Sequence, residues 1–399
     1  MTEKALQGLK VLELAQFVFG PYCAKLLADL GAEVVKVEEP LVGDKARRRG
    51  PFPNDVPHPE RSGLFLYLNT NKMGITLNIK TGTGREIFKR LVDWADILIE
   101  DQPPGTMQEL GLDYESLITI NPRLIMTSIT PFGQTGPYRD YKAYHLNIIH
   151  AAGAGYLTPG EVHNLDREPL KGGGFLDDYT SGLSAAVATM GAVYARWATD
   201  TGQHIDVSRQ EAVMHLDKIE IDQYPNSGNI PSRRRRTSSV VPCKDGHFHY
   251  VAPRDYDWQA FAKVMGNPDW ARDERLKDHV FQIEKSGELK ELISQWSLRL
   301  TKEEIYHRGQ AGRVPLGMVK TAEEVVNWPQ REARGFFVEI DHPEAGKFKY
   351  PSAPYLFSET PWTVTCSAPL LGQHNEEVYC KRLGYTGQEL VKMREAGII

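Results

Sequence analysis

The chain has 399 residues, 41% hydrophobic and 25% charged, with a net charge of −5, a globular composition with room for two or three domains. The negative balance gives the protein as a whole no attraction to nucleic acid or to an anionic membrane surface. Cys23, Cys243, Cys366 and Cys380 lie far apart with no Cys-x-x-Cys pair, and no run of about 18 apolar residues occurs, which argues against a zinc ribbon, a disulfide framework and a membrane-spanning helix.

Leu9 to Leu14 reads as a strand. Gly20-Pro21 punctuates, and Cys23, Leu26, Leu27 and Leu30 recur at helical spacing over Tyr22 to Leu30, with Gly31 as the stop. Glu33 to Glu38 is the next strand. The β-α-β pattern then repeats: Ile75 to Ile79 reads as a strand, Gly82 to Trp94 as a helix, and Asp96 to Glu100 and Leu124 to Ile129 as strands. Strands alternating with helices predict an α/β fold with a parallel sheet covered on both faces. Turn-rich Pro131 to Pro137 follows, and residues 145–220 read as mainly helical. Beyond residue 221 the pattern changes. Asn226 to Pro231 and the run Arg233 to Arg236 read as a flexible connection. Val240 to Val251 reads as a hairpin with Asp245-Gly246 at its turn, and helices run from Trp258 to Ala311 in a smaller second unit. Gly335 to Ile340 is strand-like, and a last helix runs from Gly384 to Ala396.

The chemistry-bearing segment is Lys171 to Leu183. Gly172, Gly173 and Gly174 precede Asp177 and Asp178, which fall where an Ala-rich helix begins. A helix N-terminus carries partial positive charge and unpaired N–H groups, so an N-cap is the plainer reading of the two carboxylates. The sharper reading uses the glycines, which let backbone approach a ligand and leave N–H groups to hold an oxyanion beside an aspartate nucleophile. Gly-x-Gly-x-x-Gly is absent from the first β-α junction, Ala15 to Pro21, which counts against a nicotinamide oxidoreductase. Neither a P-loop nor a Gly-x-Ser-x-Gly elbow is present. His247 and His249 read as a strand pair rather than a metal site. Arg47 to Arg49 follow the second strand, where open α/β sheets bind ligands, and fit a phosphate-bearing ligand. Arg233 to Arg236 read as a solvated loop, and Lys72 as a surface lysine ahead of its strand.

Several segments, in order along nearly the whole chain, resemble the family III CoA-transferases, which include carnitine CoA-transferase and formyl-CoA transferase. They are Leu6 to Glu39, Leu68-Asn69-Thr70-Asn71-Lys72, Gly133-Gln134-Thr135-Gly136-Pro137-Tyr138, Thr201 to Ser208 with Glu211-Ala212, Pro329 to Gly335, and Ala368 to Asn375. The resemblance implies a catalytic aspartate four residues before a glycine that precedes the Ala-rich helix. Asp178 with Gly182 fits that spacing and Asp177 does not, so Asp177 is expected to point elsewhere or to be paired. Asp178 would attack an acyl-CoA thioester, giving an aspartyl anhydride and then an aspartyl-CoA thioester, before CoA passes to an incoming acid.

The resemblance further implies CoA contacts at Val18, Phe19, Asn69, Lys72, Asp101, Gln102, Lys142, Tyr144 and His145. Two positions that hold phosphate-contacting arginines in formyl-CoA transferase are Glu39 and Glu109 here, so Arg47 to Arg49 become candidates for the CoA phosphates. Val18, Arg49 and His145 replace a glutamine, a tryptophan and a glutamate of the oxalate-type site, which makes oxalate and formate unlikely substrates. Related racemases use a histidine whose position matches Tyr144, a poor base near neutral pH, so transferase is favoured over acyl-CoA isomerase or racemase; a non-catalytic acyl-CoA-binding protein is the third alternative. Also implied are a large α/β domain from residues 1–220 and 330–399, a small domain over 225–325, and an interlocked homodimer. No cofactor beyond CoA as substrate and no metal are expected. Met1-Thr2-Glu3-Lys4 has no apolar signal region, so a soluble, cytoplasmic enzyme is expected.

Overall fold

The computed structural model describes residues 4–399 except 160, 163, 165, 217, 231, 236–238 and 251–254. Residues 1–3, Pro231, Arg236 and Val251, named in the sequence reading, lie outside the described residues. The chain divides into two compact units. One comprises Met1–Ala154, Lys171–Asp222 and Gly335–Ile399; the other comprises Gly155–Leu170 and Gln223–Arg334.

The first unit is the expected α/β structure. Its strands are β1 (Lys10–Leu14), β2 (Glu33–Glu38), β3 (Lys72–Thr76), β4 (Ile97–Glu100), β5 (Ile125–Thr130) and β6 (Gln203–Ser208). They form one parallel six-stranded sheet in the order β3-β2-β1-β4-β5-β6. The strand order reverses beside β1, so the crevice at the carboxyl ends of β1 and β4 is the topological switch point, where open α/β sheets take ligands. The helices that matter for the site are α1 (Phe19–Asp29), α2 (Gly82–Trp94), α3 (His145–Ala151), α4 (Leu176–Thr199) and α5 (Arg209–Leu216). On one side of the sheet, Leu12, Val35, Leu98 and Met126 pack with Ile87, Phe88, Leu91 and Val92 of α2. On the other, Val11, Val34, Ile97 and Ile125 pack with Cys23, Ala24 and Leu27 of α1 and Ala185, Ala192 and Val193 of α4. Strands buried on both faces read as continuous apolar runs, and this is why β1, β2, β4 and β5 stand out in the sequence.

Other elements differ from expectation. The third strand is Lys72–Thr76 rather than 75–79. Beyond Leu77, the Asn78 N–H leaves the sheet and donates to the carbonyl of Ile398 at 2.7 Å. Residues 203–208, read as part of a helical stretch, form the edge strand β6, whose mixed polar side chains mask it. The first helix begins at Phe19 because Pro21, lacking an N–H, is tolerated in a first turn. A hairpin partner for Phe337–His342 appears at Gly346–Pro351, where lysines on the exposed face hide the alternation.

In the second unit, Val240–Cys243, Gly246–Tyr250 and Leu316–Val319 make a three-stranded antiparallel sheet. The turn residues are Lys244 and Asp245, since Gly246 already pairs with Cys243. Helices Asp255–Val264, Ser286–Ser297 and Lys302–Ala311 cover the sheet around Phe248, Trp258, Phe261 and Ile293. Asn226 and Ser227 end the helix Lys218–Ser227 instead of opening a loop. Arg234–Arg235, read as a solvated loop, pairs in parallel with Glu161–Val162.

A buried charge network runs beneath β1–β3. Glu13 and Lys36 are fully enclosed, and Lys72 is 1% exposed. Lys36 Nζ meets Glu13 at 2.7 Å and Asp44 at 2.8 Å, while Lys72 Nζ meets Glu13 at 2.7 Å and donates to Asn69 Oδ1 at 2.9 Å. Burial lowers the Lys72 ammonium to about 8, with Glu13 opposing the shift. Lys72→Met leaves a buried carboxylate one cation short and is expected to cost about 3–5 kcal/mol of stability; urea unfolding followed by circular dichroism measures it, and an unchanged midpoint would refute a structural role.

Candidate active site

The loop between β1 and α1 is held by charged side chains. Phe17 has φ of 69°, in the left-handed region that costs a bulky residue roughly 1–3 kcal/mol and persists only when its surroundings fix it. Here they do. The Phe17 N–H donates to Asp44 Oδ1 at 2.9 Å and the Gln16 N–H to Asp101 Oδ2 at 2.8 Å. The Ala15 and Pro21 carbonyls accept from Lys36 Nζ and Lys72 Nζ, each at 2.8 Å. The loop thereby presents Phe17, Val18 and Phe19 at the switch-point crevice.

Helix α4 reaches the same place because Gly182 lacks a side chain. A Cβ there would lie 2.5 Å from the Phe19 carbonyl oxygen, so only glycine permits this approach of α4 to α1. Asp178 stands about one helical turn earlier and is 1% exposed. Phe175 is the N-cap residue of α4 and no side chain caps the helix; the N-cap reading of Asp177 and Asp178 is therefore set aside, and both carboxylates belong to the first turn. The Phe175 ring meets the Phe17 ring edge-on at 5.0 Å and the His145 ring at 5.6 Å.

The carboxylates are separately partnered. Asp177 Oδ1 is in direct contact with His145 Nδ1 at the start of α3. Asp178 Oδ1 is in direct contact with Nη2 of Arg209, the first residue of α5. Asp178 Oδ2 lies 3.8 Å from His145 Nδ1 and has no hydrogen-bond partner among the described residues. Burial pushes the Asp178 carboxyl up to about 6; Arg209 opposes that rise and the Asp177 charge adds to it. Burial also raises Asp177, against the pull of His145, and lowers His145, against the pull of Asp177. The donor atoms of His145, Asp177 and Asp178 lie within 4.8 Å of one another, but a cation placed there would face the Arg209 guanidinium, so the cluster is suited to handling charge and protons rather than a metal.

The other sequence-derived positions are scattered. Val18 is fully buried and Phe19 half-buried at the crevice. Asp101 and Gln102 follow β4 beside them; Gln102 Nε2 donates to the Leu14 carbonyl at 3.3 Å, and enclosure pushes the Asp101 carboxyl up to about 8. Lys142 and Tyr144 are exposed ahead of α3. Asn69 and Lys72 are buried, which corrects the surface reading of Lys72; its Nζ contacts Glu13, Asn69 and Pro21. Arg47 is likewise buried. Its guanidinium pairs with both oxygens of Glu38 at 2.7 and 2.8 Å, with Glu60 and with the Pro369 carbonyl, so it is engaged within the protein rather than open to solvent. Arg48 and Arg49 remain exposed, and Arg49 lies 5.8 Å from the Phe175 ring centre. Glu39 and Glu109 are exposed, Glu39 pairing with Lys80 at 3.3 Å. Arg209 was missed. The available signal was an arginine set between Val207-Ser208 and Ala212-Val213, two buried pairs.

The model of CoA-transferase family III matches residues 6–375. The chain belongs to CoA-transferase family III. A family relative, formyl-CoA:oxalate CoA-transferase of Streptomyces coelicolor, is 33% identical over the whole of both chains. Succinyl-CoA–D-citramalate CoA-transferase of Chloroflexus aurantiacus is 34% identical over 99% of this chain and 98% of its own. The crystal structure of a CaiB/BaiF family protein from Brucella suis superposes with a TM-score of 0.84 at 30% identity, covering 96% of this chain and 100% of that one. This family III enzyme has, among its described residues, no helix long and apolar enough to cross a membrane.

A carboxylate acts as base or nucleophile only when ionised. Burial pushes the Asp178 carboxyl up to about 6, so a reaction that uses this carboxylate ionised is expected to turn over about tenfold more slowly at pH 5 than on the neutral plateau. A pH–rate profile tests this, and a limb centred near pH 4 would mean that turnover does not depend on a carboxyl raised by burial.

Proposed function

We propose that this enzyme moves CoA from an acyl-CoA donor to a carboxylic acid through covalent intermediates on Asp178. The observation that carries the reading is a buried carboxylate at the switch point, with one oxygen held by Arg209 and the other without a hydrogen-bond partner among the described residues. Asp178 Oδ2 attacks the thioester carbonyl carbon, and the C–S bond breaks with its electron pair on sulfur. The anhydride so formed is attacked by the thiolate at the aspartyl carbonyl carbon, and the C–O bond breaks to release the donor acid as its carboxylate. An incoming carboxylate repeats these steps in reverse. One thioester is exchanged for another, so no external energy source is required. The glycines at 172–174 have open space where side chains would stand, which suits close approach of a thioester to backbone. Val18, Phe19, Asp101 and Gln102 flank the crevice and, with Asn69 and Lys72 behind them, are the CoA-contact candidates, with His145 beside the reacting carbonyl and Lys142 and Tyr144 on the exposed side.

A second reading has its own observation. His145, not Tyr144, faces the carboxylates, which provides a base and an acid for moving the α-proton of an acyl-CoA, an isomerase reaction. Deuterium entering a 2-methylacyl-CoA from solvent without an acid acceptor would favour it.

The relatives name oxalate and D-citramalate as acids; the departures at Val18, Arg49 and His145 direct this chain away from oxalate. A homodimer fits an apolar seam on α4, where Leu183, Val187, Tyr194 and Trp197 are 50–73% exposed. Free cysteines and a CoA thioester substrate fit the cytoplasm.

Incubating the protein with succinyl-CoA, acetyl-CoA and a wider acyl-CoA panel, followed by intact mass measurement and hydroxylamine trapping, should give an adduct on Asp178. Asp178→Ala should lose both the adduct and transferase activity while still binding CoA; surviving activity would remove Asp178 from the mechanism. Trp197→Glu should shift the protein from dimer to monomer in light scattering, whereas a wild-type monomer would exclude the dimer outright.

A further inference from the structure

Arg209 is a buried cation with few partners. Its side chain is 5% exposed, one of its terminal nitrogens contacts Asp178 Oδ1, and its Nε has no hydrogen-bond partner among the described residues. The guanidinium carbon lies 4.3 Å from the centre of the Phe19 ring, which pins it against the crevice loop. The position is fixed by topology, since α5 starts directly after β6 and the Gln210 N–H donates to the Pro131 carbonyl at 3.1 Å. A cation this enclosed requires an anion nearby at all times, because an unpaired buried charge costs several kcal/mol.

We infer that Arg209 is the fixed counter-cation of the transfer reaction, a positioning residue that keeps Asp178 ionised and then stays beside the negative charge as it migrates. This rests on the nucleophile reading above. In that chemistry the charge is never lost. It resides on Asp178, then on the CoA thiolate once the C–S bond has broken, then on the released carboxylate, with no proton and no oxidant involved. The intermediate anhydride leaves Asp178 neutral, so Arg209 favours retention of the thiolate within reach of the aspartyl carbonyl. Holding Oδ1 also aims Oδ2 as the attacking oxygen. The other charged or titratable groups facing Asp178 are Asp177 on α4, His145 on α3, Lys171 on the glycine loop, and the Tyr179 phenol, which packs against Tyr22 of α1. Lys171 donates to the carbonyls of Gly172 and Gly174 at 2.9 and 3.3 Å, so it is partly engaged. Arg209 alone among these cations touches the carboxylate.

The test compares wild type, Arg209→Lys and Arg209→Met in the rate and pH dependence of Asp178 adduct formation with succinyl-CoA and the acyl-CoA panel. Without the cation the acidic limb should move up by about 1–3 pH units, and the rate on the alkaline plateau should fall by roughly 100-fold. Arg209→Lys should keep the limb near its wild-type position. A purely structural role would lower the amount of folded enzyme and leave the limb where it is. An unmoved limb and plateau in Arg209→Met, or a limb in Arg209→Lys displaced as far as in Arg209→Met, would overturn the inference. Where Arg209→Met does not fold, Arg209→Gln takes its place. Infrared titration of the Asp178 carboxyl, isolated by subtracting Asp178→Asn, separates this inference from the nucleophile reading because it needs no acyl-CoA. A wild type that never forms an adduct sinks the nucleophile reading and with it the counter-cation role in transfer. An infrared midpoint equal in wild type and Arg209→Met sinks the Arg209 assignment even where the adduct forms.

Discussion

Glu13 sits fully buried on the central strand, and the two lysines that neutralise it hold the loop on which the site is built. Lys36 and Lys72 each spend one donor on Glu13 and another on a nearby carbonyl, that of Ala15 in the loop and that of Pro21 in the first turn of α1 respectively. Buried ion pairs are seldom a source of net stability compared with apolar packing of the same volume. Their value here is positional. They give fixed partners to peptide groups that carry Phe17 in a left-handed conformation and that turn the chain directly from β1 into α1.

The close contact of α4 with α1 at Gly182 depends on that loop. If the Phe19 carbonyl moved, the first turn of α4 would have no fixed neighbour, and Asp178 would have no defined relation to the crevice. The electrostatics then divide two adjacent carboxylates into different roles. Asp177 faces a histidine whose burial favours the neutral ring, while Asp178 faces a guanidinium that is always charged. Adjacent like charges on one helix turn are tolerated because each has its own partner from a different element.

The parallel sheet was legible because its inner strands are apolar on both faces; the Asp178–Gly182 spacing was read through the family resemblance, and the structure shows it as one turn of helix set against a close packing contact. Other features were hidden for physical reasons. Lys72 reads as a surface residue until its anion, 59 positions earlier in the chain, is known to be buried beside it. Arg47 reads as a phosphate ligand until Glu38 and Glu60 are seen to surround it. The edge strand β6 is polar and half-solvated, so its period is weak, and missing it concealed Arg209 at its end. In each case the sequence displays the charge and not its partner, which arrives from a distant segment.

The core beneath the sheet also joins distant segments. Leu12, Val35 and Leu98 share it with Val378, Tyr379, Met393 and Ile399. Residues 374–398 also bond along β3, through the His374 ring and backbone to Gly74, Asn375 and Tyr379 to Thr76, and the Ile398 carbonyl to Asn78. During synthesis the ribosome delivers these partners after the strands they cover and after the whole second unit. For that interval β3 is an uncovered sheet edge with an open apolar face beside it, the kind of surface that recruits other strands. The nascent chain therefore carries an exposed pairing edge and an open apolar face until residues 374–398 emerge to cover them.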